Sequence, residues 1–227
     1  MADAKENLGE NIQEGLGKVE RFFEENKQKV YIGAGAIAVV VVAVVYLFVQ
    51  YLPAQNLKAL KAVYMAEFAF AKDSFELALN GRTTGGNPYK GFASVANDFG
   101  WTKTGKLANY YAGICCLNLK KYDDAVKYLN KFSTSDQVLG ALKLSATGDA
   151  YMELGKTEDG ISAYEKAAAY SDNEAFTPYF LFKTGLAYEK AKKTADAKKY
   201  YEKLRDKYPN SDEGREIEKY IARVSAQ

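Results

Sequence analysis

The sequence predicts an all-α protein, a single N-terminal transmembrane helix followed by an α-solenoid of paired helices. Three observations carry that fold class. Residues 30–49 read VYIGAGAIAVVVVAVVYLFV, twenty positions without a charge, an amide side chain or a proline. Past them, apolar residues recur at steps of three and four, as a helix burying one side requires. In the second half, small and large residues then line up in columns about 35 residues apart, the mark of stacked repeats.

The apolar run comes first. At ~1.5 Å per residue it matches the ~30 Å hydrocarbon layer of a bilayer. A β-branched run such as Val39–Val42 favours strand in water. In lipid a lone strand leaves its backbone unsatisfied, so the segment must be helical. Tyr31, Tyr46 and Tyr51 stand near its ends, where amphipathic rings anchor at interfaces. Lys18, Arg21, Lys27 and Lys29 precede it, whereas only Lys58 and Lys61 follow closely. Lysine and arginine mark the side retained in the cytoplasm, so the N-terminus is expected inside and residues 57–227 outside. Leu52-Pro53-Ala54 is a poor signal-peptidase site and no cysteine follows to accept a lipid, so an uncleaved anchor is expected.

Composition excludes several function classes. The net charge is +2, with five basic and seven acidic residues in 1–29 and hence +4 in the remainder. That is too weak for a nucleic-acid reader. The chain has no histidine, which removes Ser-His-Asp and Cys-His catalysis and His-ligated zinc. Cys115 and Cys116 are adjacent within an apolar helical run, poorly placed to pair with each other, and read as buried inert thiols. No catalytic residue, cofactor or metal is expected, and the chain reads as a non-enzyme.

In the tail, residues 1–29, Ile12, Leu16, Val19 and the pair Phe22 and Phe23 recur at helical spacing. Their stripe suits a membrane surface or a partner. Val19-Glu-Arg-Phe-Phe-Glu-Glu-Asn26, running into a Gly/Ala/Val-rich span, resembles the juxtamembrane segment of YfgM-type ancillary subunits of the Sec translocon. That resemblance implies a single-pass bacterial inner-membrane protein with an exported helical-repeat domain in the periplasm. Its implied partners are Sec translocon subunits, a membrane-anchored periplasmic chaperone and exported polypeptides. Gly33, Ala34, Gly35 and Ala38 offer a close-packing face within the span. With Phe22 and Phe23 they form the candidate membrane-docking set.

The span, 30–52, gives way to a neck, 53–105. Pro53 can kink the helix or mark a fresh start. Leu57, Leu60, Tyr64, Phe68, Ala71, Phe75 and Ala78 then follow steps of three and four, predicting a helix that buries this seam. The glycines of GRTTGGNPYKG predict a loop. No GK[ST] closes it and no strand precedes it, so it is not a phosphate cradle. Residues 92–99 predict a short helix.

Residues 106–209 hold the repeats. Gly113, Gly148 and Gly185 form one column, 35 and 37 residues apart. Twelve positions on stand the small Ala125, Gly160 and Ala197; sixteen on, the large Leu129, Tyr164 and Tyr201. Small residues where paired helices touch, large ones beside them and Pro209 after the last helix resemble the 34-residue tetratricopeptide (TPR) unit. Gly105–Phe132 also resembles the membrane-anchored TPR proteins of Bacteroidetes-type bacteria. The neck supplies a degenerate leading repeat, and residues 210–227 a capping helix. In such an array the inner faces of the first helices form a concave binding surface. Counting from the glycines places Tyr110, Ile114, Leu117, Ser145, Asp149, Met152, Phe182, Leu186 and Glu189 there. The set lacks a Lys/Arg clamp for a C-terminal carboxylate. The expected function is a membrane-anchored scaffold, accessory to Sec translocation, with an envelope scaffold for cell-wall or division machinery as the alternative.

Overall fold

The computed structural model describes residues 17, 21–22, 24–170 and 172–226. It divides into two compact units, 1–54 and 55–227. In the first, α1 (Lys27–Tyr46) is followed by a five-residue π-helical turn, Leu47–Tyr51. No residue of α1 is buried. Counted through to Phe70, the helix is long and apolar enough to cross a membrane. Helix α2 (Leu52–Phe70) runs through Pro53 without a break. The Leu52 amide donates to Leu47 O, one residue beyond the α-helical partner. A wider turn at this point accommodates the N–H that Pro53 lacks.

The second unit is built from helix pairs. After α2 come α3 (Phe75–Asn80), α4 (Phe92–Phe99), α5 (Lys103–Asn118) and α6 (Tyr122–Lys131). Then follow α7 (Gln137–Glu153), α8 (Thr157–Tyr170), α9 (Thr177–Lys190), α10 (Thr194–Lys207), α11 (Asp212–Arg215) and α12 (Ile217–Ser225). Side chains set the starts of two first-of-pair helices. Thr102 Oγ1 accepts the Gly105 amide at 3.0 Å ahead of α5, and Asp136 Oδ1 accepts the Leu139 amide at 2.8 Å ahead of α7. Each such bond satisfies one of the orphan amides of a helix N-terminus.

The glycine column has a steric cause. A Cβ on Gly113 would lie 2.6 Å from Leu129 Cγ, one on Gly148 2.6 Å from Tyr164 Cε1, and one on Gly185 2.2 Å from Tyr201 Cε1. Each glycine thus receives the large residue sixteen positions on, across its own helix pair. A second column lies seven residues past the glycines. Lys120, Gly155 and Lys192 all take left-handed backbone, with φ of 60°, 73° and 59°. Asp73 does the same at φ 55°. Seven residues before it is Ala66 and five after it Ala78, both fully buried. Helices α2 and α3 are therefore a fourth unit in the same register, with Ala66 in the glycine column. Alanine fits because α3 stops at Asn80, before position 82 where the large residue would stand.

Three expectations change. The buried side of α2 is Ala59, Val63, Ala66 and Ala69; Leu57, Leu60, Tyr64 and Phe68 are exposed. The small side chains let α2 approach its neighbours closely, and Phe70 at its end meets Phe75, Phe92 and Tyr111 edge to face. The glycine-rich loop closes with a two-residue antiparallel ladder, β1 (Gly81–Arg82) against β2 (Tyr89–Lys90). Gly81, at φ 78°, has no room for a side chain, since a Cβ would sit 2.2 Å from Tyr89 O. The terminal helix is broken at Glu216, and it is amphipathic: Ile217, Ile221 and Val224 are buried. The cysteines are buried and free, and burial pushes the Cys115 thiol up to about 12 and that of Cys116 up to about 11.

Candidate protein-binding site

The candidate residues stand on the first helix of each pair, α5, α7 and α9, at positions three before, one after and four after the glycine. On α5, Tyr110 lies 5.6 Å from the Tyr111 ring and 5.4 Å from Phe132, and burial raises its phenol. Ile114 is half-buried, and Leu117 packs on the core shared by α2 and α5. On α7, Ser145 is buried and Met152 packs under Gly160. Asp149 accepts from the Tyr164 hydroxyl and from Lys183 Nζ.

On α9 the set is drawn toward the C-terminal helix. Phe182 meets Tyr220 of α12 edge to face at 4.8 Å and Tyr201 of α10 at 6.2 Å. Glu189 accepts from Tyr201 at 3.0 Å and from Arg223 of α12 at 2.7 Å. Leu186, 37 % exposed, is the member of the set left open to solvent. The predicted residues therefore share one register but hold three local environments.

Lys183, which the sequence set omits, is the central cation of this face. Its ammonium pairs with Asp149 and lies 5.2 Å from the ring centres of both Tyr164 and Tyr179. Cation–π contact and an ion pair together hold a lysine that is 20 % exposed. It stands two residues before Gly185, on the side of α9 that meets the preceding pair, and that position was the available signal. A second polar node lies nearby, where Tyr188 and Tyr200 stack at 5.5 Å and both donate to Glu165 Oε1, at 2.6 and 2.7 Å. Burial foremost, with the Glu165 carboxylate, raises both phenols; burial with Asp149 does the same for Tyr164. These hydroxyls stay protonated donors.

Such a face suits docking rather than proton transfer: fixed donors, aromatic edges, and a lysine already matched to a carboxylate. Two exposed side chains of α9, Tyr179 and Leu186, project from it. Of the membrane-docking set, Phe22 and the residues Gly33, Ala34, Gly35 and Ala38 are exposed, and among the described residues nothing beyond the helix's own backbone lies within 4 Å of a Cβ placed on Gly33 or Gly35. Phe23 lies outside the described residues.

Residues 179–211 match the model of the tetratricopeptide repeat family. No curated protein sequence matches the chain. Among solved structures, the crystal structure of MamA protein superposes with a TM-score of 0.53 at 16% identity, over 76% of this chain and 88% of that one. At that identity the likeness establishes the fold, a TPR-like array of helix pairs.

Proposed function

We propose that this chain is a membrane-anchored TPR scaffold and an accessory subunit of the Sec protein-translocation machinery. The carrying observation is the arrangement along the chain. One exposed apolar helix, long enough to cross a bilayer, precedes an array of helix pairs whose first helices carry the candidate residues in one register, with Leu186 open to solvent. Helical repeats of this kind mediate protein–protein interaction by offering an extended surface. The Val19–Asn26 juxtamembrane segment, with its resemblance to YfgM-type subunits, supports Sec as the machinery. In this reading the array faces the periplasm, and Tyr110, Ile114, Leu117, Asp149, Met152, Phe182, Leu186 and Glu189 contact emerging chains or a membrane-anchored chaperone. Phe22, Phe23, Gly33, Ala34, Gly35 and Ala38 dock against the translocon.

Photo-crosslinking in the native membrane tests it, with probes at Gly35 and at Leu186. Sec subunits captured from Gly35, and exported chains or a chaperone from Leu186, are the expected result. Capture of cell-wall or division proteins from both positions instead would replace Sec with an envelope scaffold.

A further inference from the structure

In the three downstream units, one side of the first helix is covered by the pair before it. That side carries the positions two before and two after the glycine column. Tyr111 meets Phe70 and Phe92, each at 5.1 Å, and Cys115 lies in the same core. Ala150 packs into the core of the preceding pair, and Ala187 packs on Ile161 and Tyr164. Lys183 reaches back to Asp149. In α2 the equivalent positions are Tyr64 and Phe68, and they are 67 % and 51 % exposed. Leu57, Leu60 and Met65 extend the patch. The array thus opens on a stacking side that is apolar, in large residues, and has no preceding pair.

We propose that a second copy of this chain covers it, α2 against α2, parallel and in register. The proposal holds whichever machinery the array serves. At 100° per residue, Leu57, Tyr64 and Phe68 form the centre of the stripe, with Lys61 beside them. One flank carries Leu60 and Glu67, and the other Lys58 and Met65, with Lys72, in the turn that follows α2, held over the Phe68 ring beside it. In a parallel two-fold pair, one flank of each helix meets the opposite flank of its partner, five residues further on. Leu60 then meets Met65, and Glu67 meets Lys72. The flanks are complementary in both kinds, apolar to apolar and acid to base, while the two Lys61 side chains come together beside the seam. Among the described residues neither Glu67 nor Lys72 has an ion-pair partner in its own chain, and Lys72 is held over the stripe, 4.3 Å from the Phe68 ring centre. An antiparallel pair centred on Tyr64 would set Lys58 against Lys72 and leave Glu67 opposite Leu60. A parallel pair also leaves both N-terminal ends of α2 on the same side. The two-fold buries the same five residues on each copy.

The full chain in mild detergent or lipid nanodiscs is the sample. Light scattering is expected to give a dimer, and L60E with F68E to raise its dissociation constant at least tenfold while the circular dichroism stays unchanged. E67K should weaken the dimer, and E67K with K72E should restore it. Single cysteines at Leu57 and at Phe68 should each crosslink to themselves. A monomer, a dimer indifferent to L60E with F68E, or a dimer in which neither cysteine crosslinks to itself would overturn the proposal. So would a monomer in which a cysteine at Phe68 resists a charged thiol reagent, since lipid would then cover the stripe.

Discussion

A single hydrogen separates tolerance from overpacking at Gly148 and Gly185. The Tyr164 and Tyr201 rings occupy the space a side chain would need, 2.6 and 2.2 Å from the Cβ position. Neither ring can retreat freely, since Tyr164 is tied to Asp149 and Tyr201 to Glu189. Gly148→Leu or Gly185→Leu is therefore expected to cost about 1–3 kcal/mol. Thermal melts would show it, and unchanged melts for both would break the link between the glycine column and its aromatic partner. At this scale the sequence was most readable, because a glycine facing a ring sixteen residues on leaves a periodic trace. Lys120 and Lys192 left none. They take the left-handed backbone that Gly155 takes more cheaply, and only the fold requires it of them.

Between elements, the same contact recurs two units apart, each time joining one pair to the next. Lys121 reaches Glu76 at 3.2 Å, and Lys193 reaches Glu158 at 2.7 Å. Each lysine stands eight residues past its column residue, and each glutamate ten past the column residue of the preceding pair. These pairs are exposed and contribute well under about 1 kcal/mol each, so they fix register more than stability. The tyrosine–carboxylate bonds between helices matter more and set a pH limit. Tyr188 and Tyr200 on Glu165, and Tyr208 on Asp172, have raised phenols, that of Tyr208 to about 12, with burial the first cause in each. A group whose folded pKa is raised stabilises the fold below its unfolded value, about 10 for tyrosine. That contribution is fully present at neutral pH and is lost as pH climbs from about 10 toward 12. Melting temperature should fall across that window, with phenolate absorbance rising in step with unfolding. A melting temperature flat to pH 12 would contradict it. The exposed seam of α2 was misread at this scale for a physical reason: large apolar side chains signal burial only where something covers them. The covering pair is absent, while alanines, which give a weak hydrophobic signal, make the close contacts.

For the whole molecule, the apolar helix and the repeat array were both visible in the sequence, since each rests on periodicity or its absence over many residues. The two-residue ladder at Gly81 and Lys90 was not, being set by backbone conformation at one glycine. The positive charges ahead of the apolar helix predict the topology. A reporter that works only outside the cytoplasm should be active after Gln227 and silent at residue 29, and the reverse pattern would invert the assignment. A final consequence follows from α3 ending at Asn80. Arrays of this kind are held by nearest neighbours, so each pair opens nearly on its own account. The first pair has a six-residue second helix, ends before the large residue of its column, and holds an eleven-residue glycine-rich excursion where that residue would be. Its amides have fewer turns to unwind before meeting water. Deuterium should therefore enter α3 well before α8 or α10, so that labelling of the array's second helices starts at the pair nearest the apolar helix in sequence.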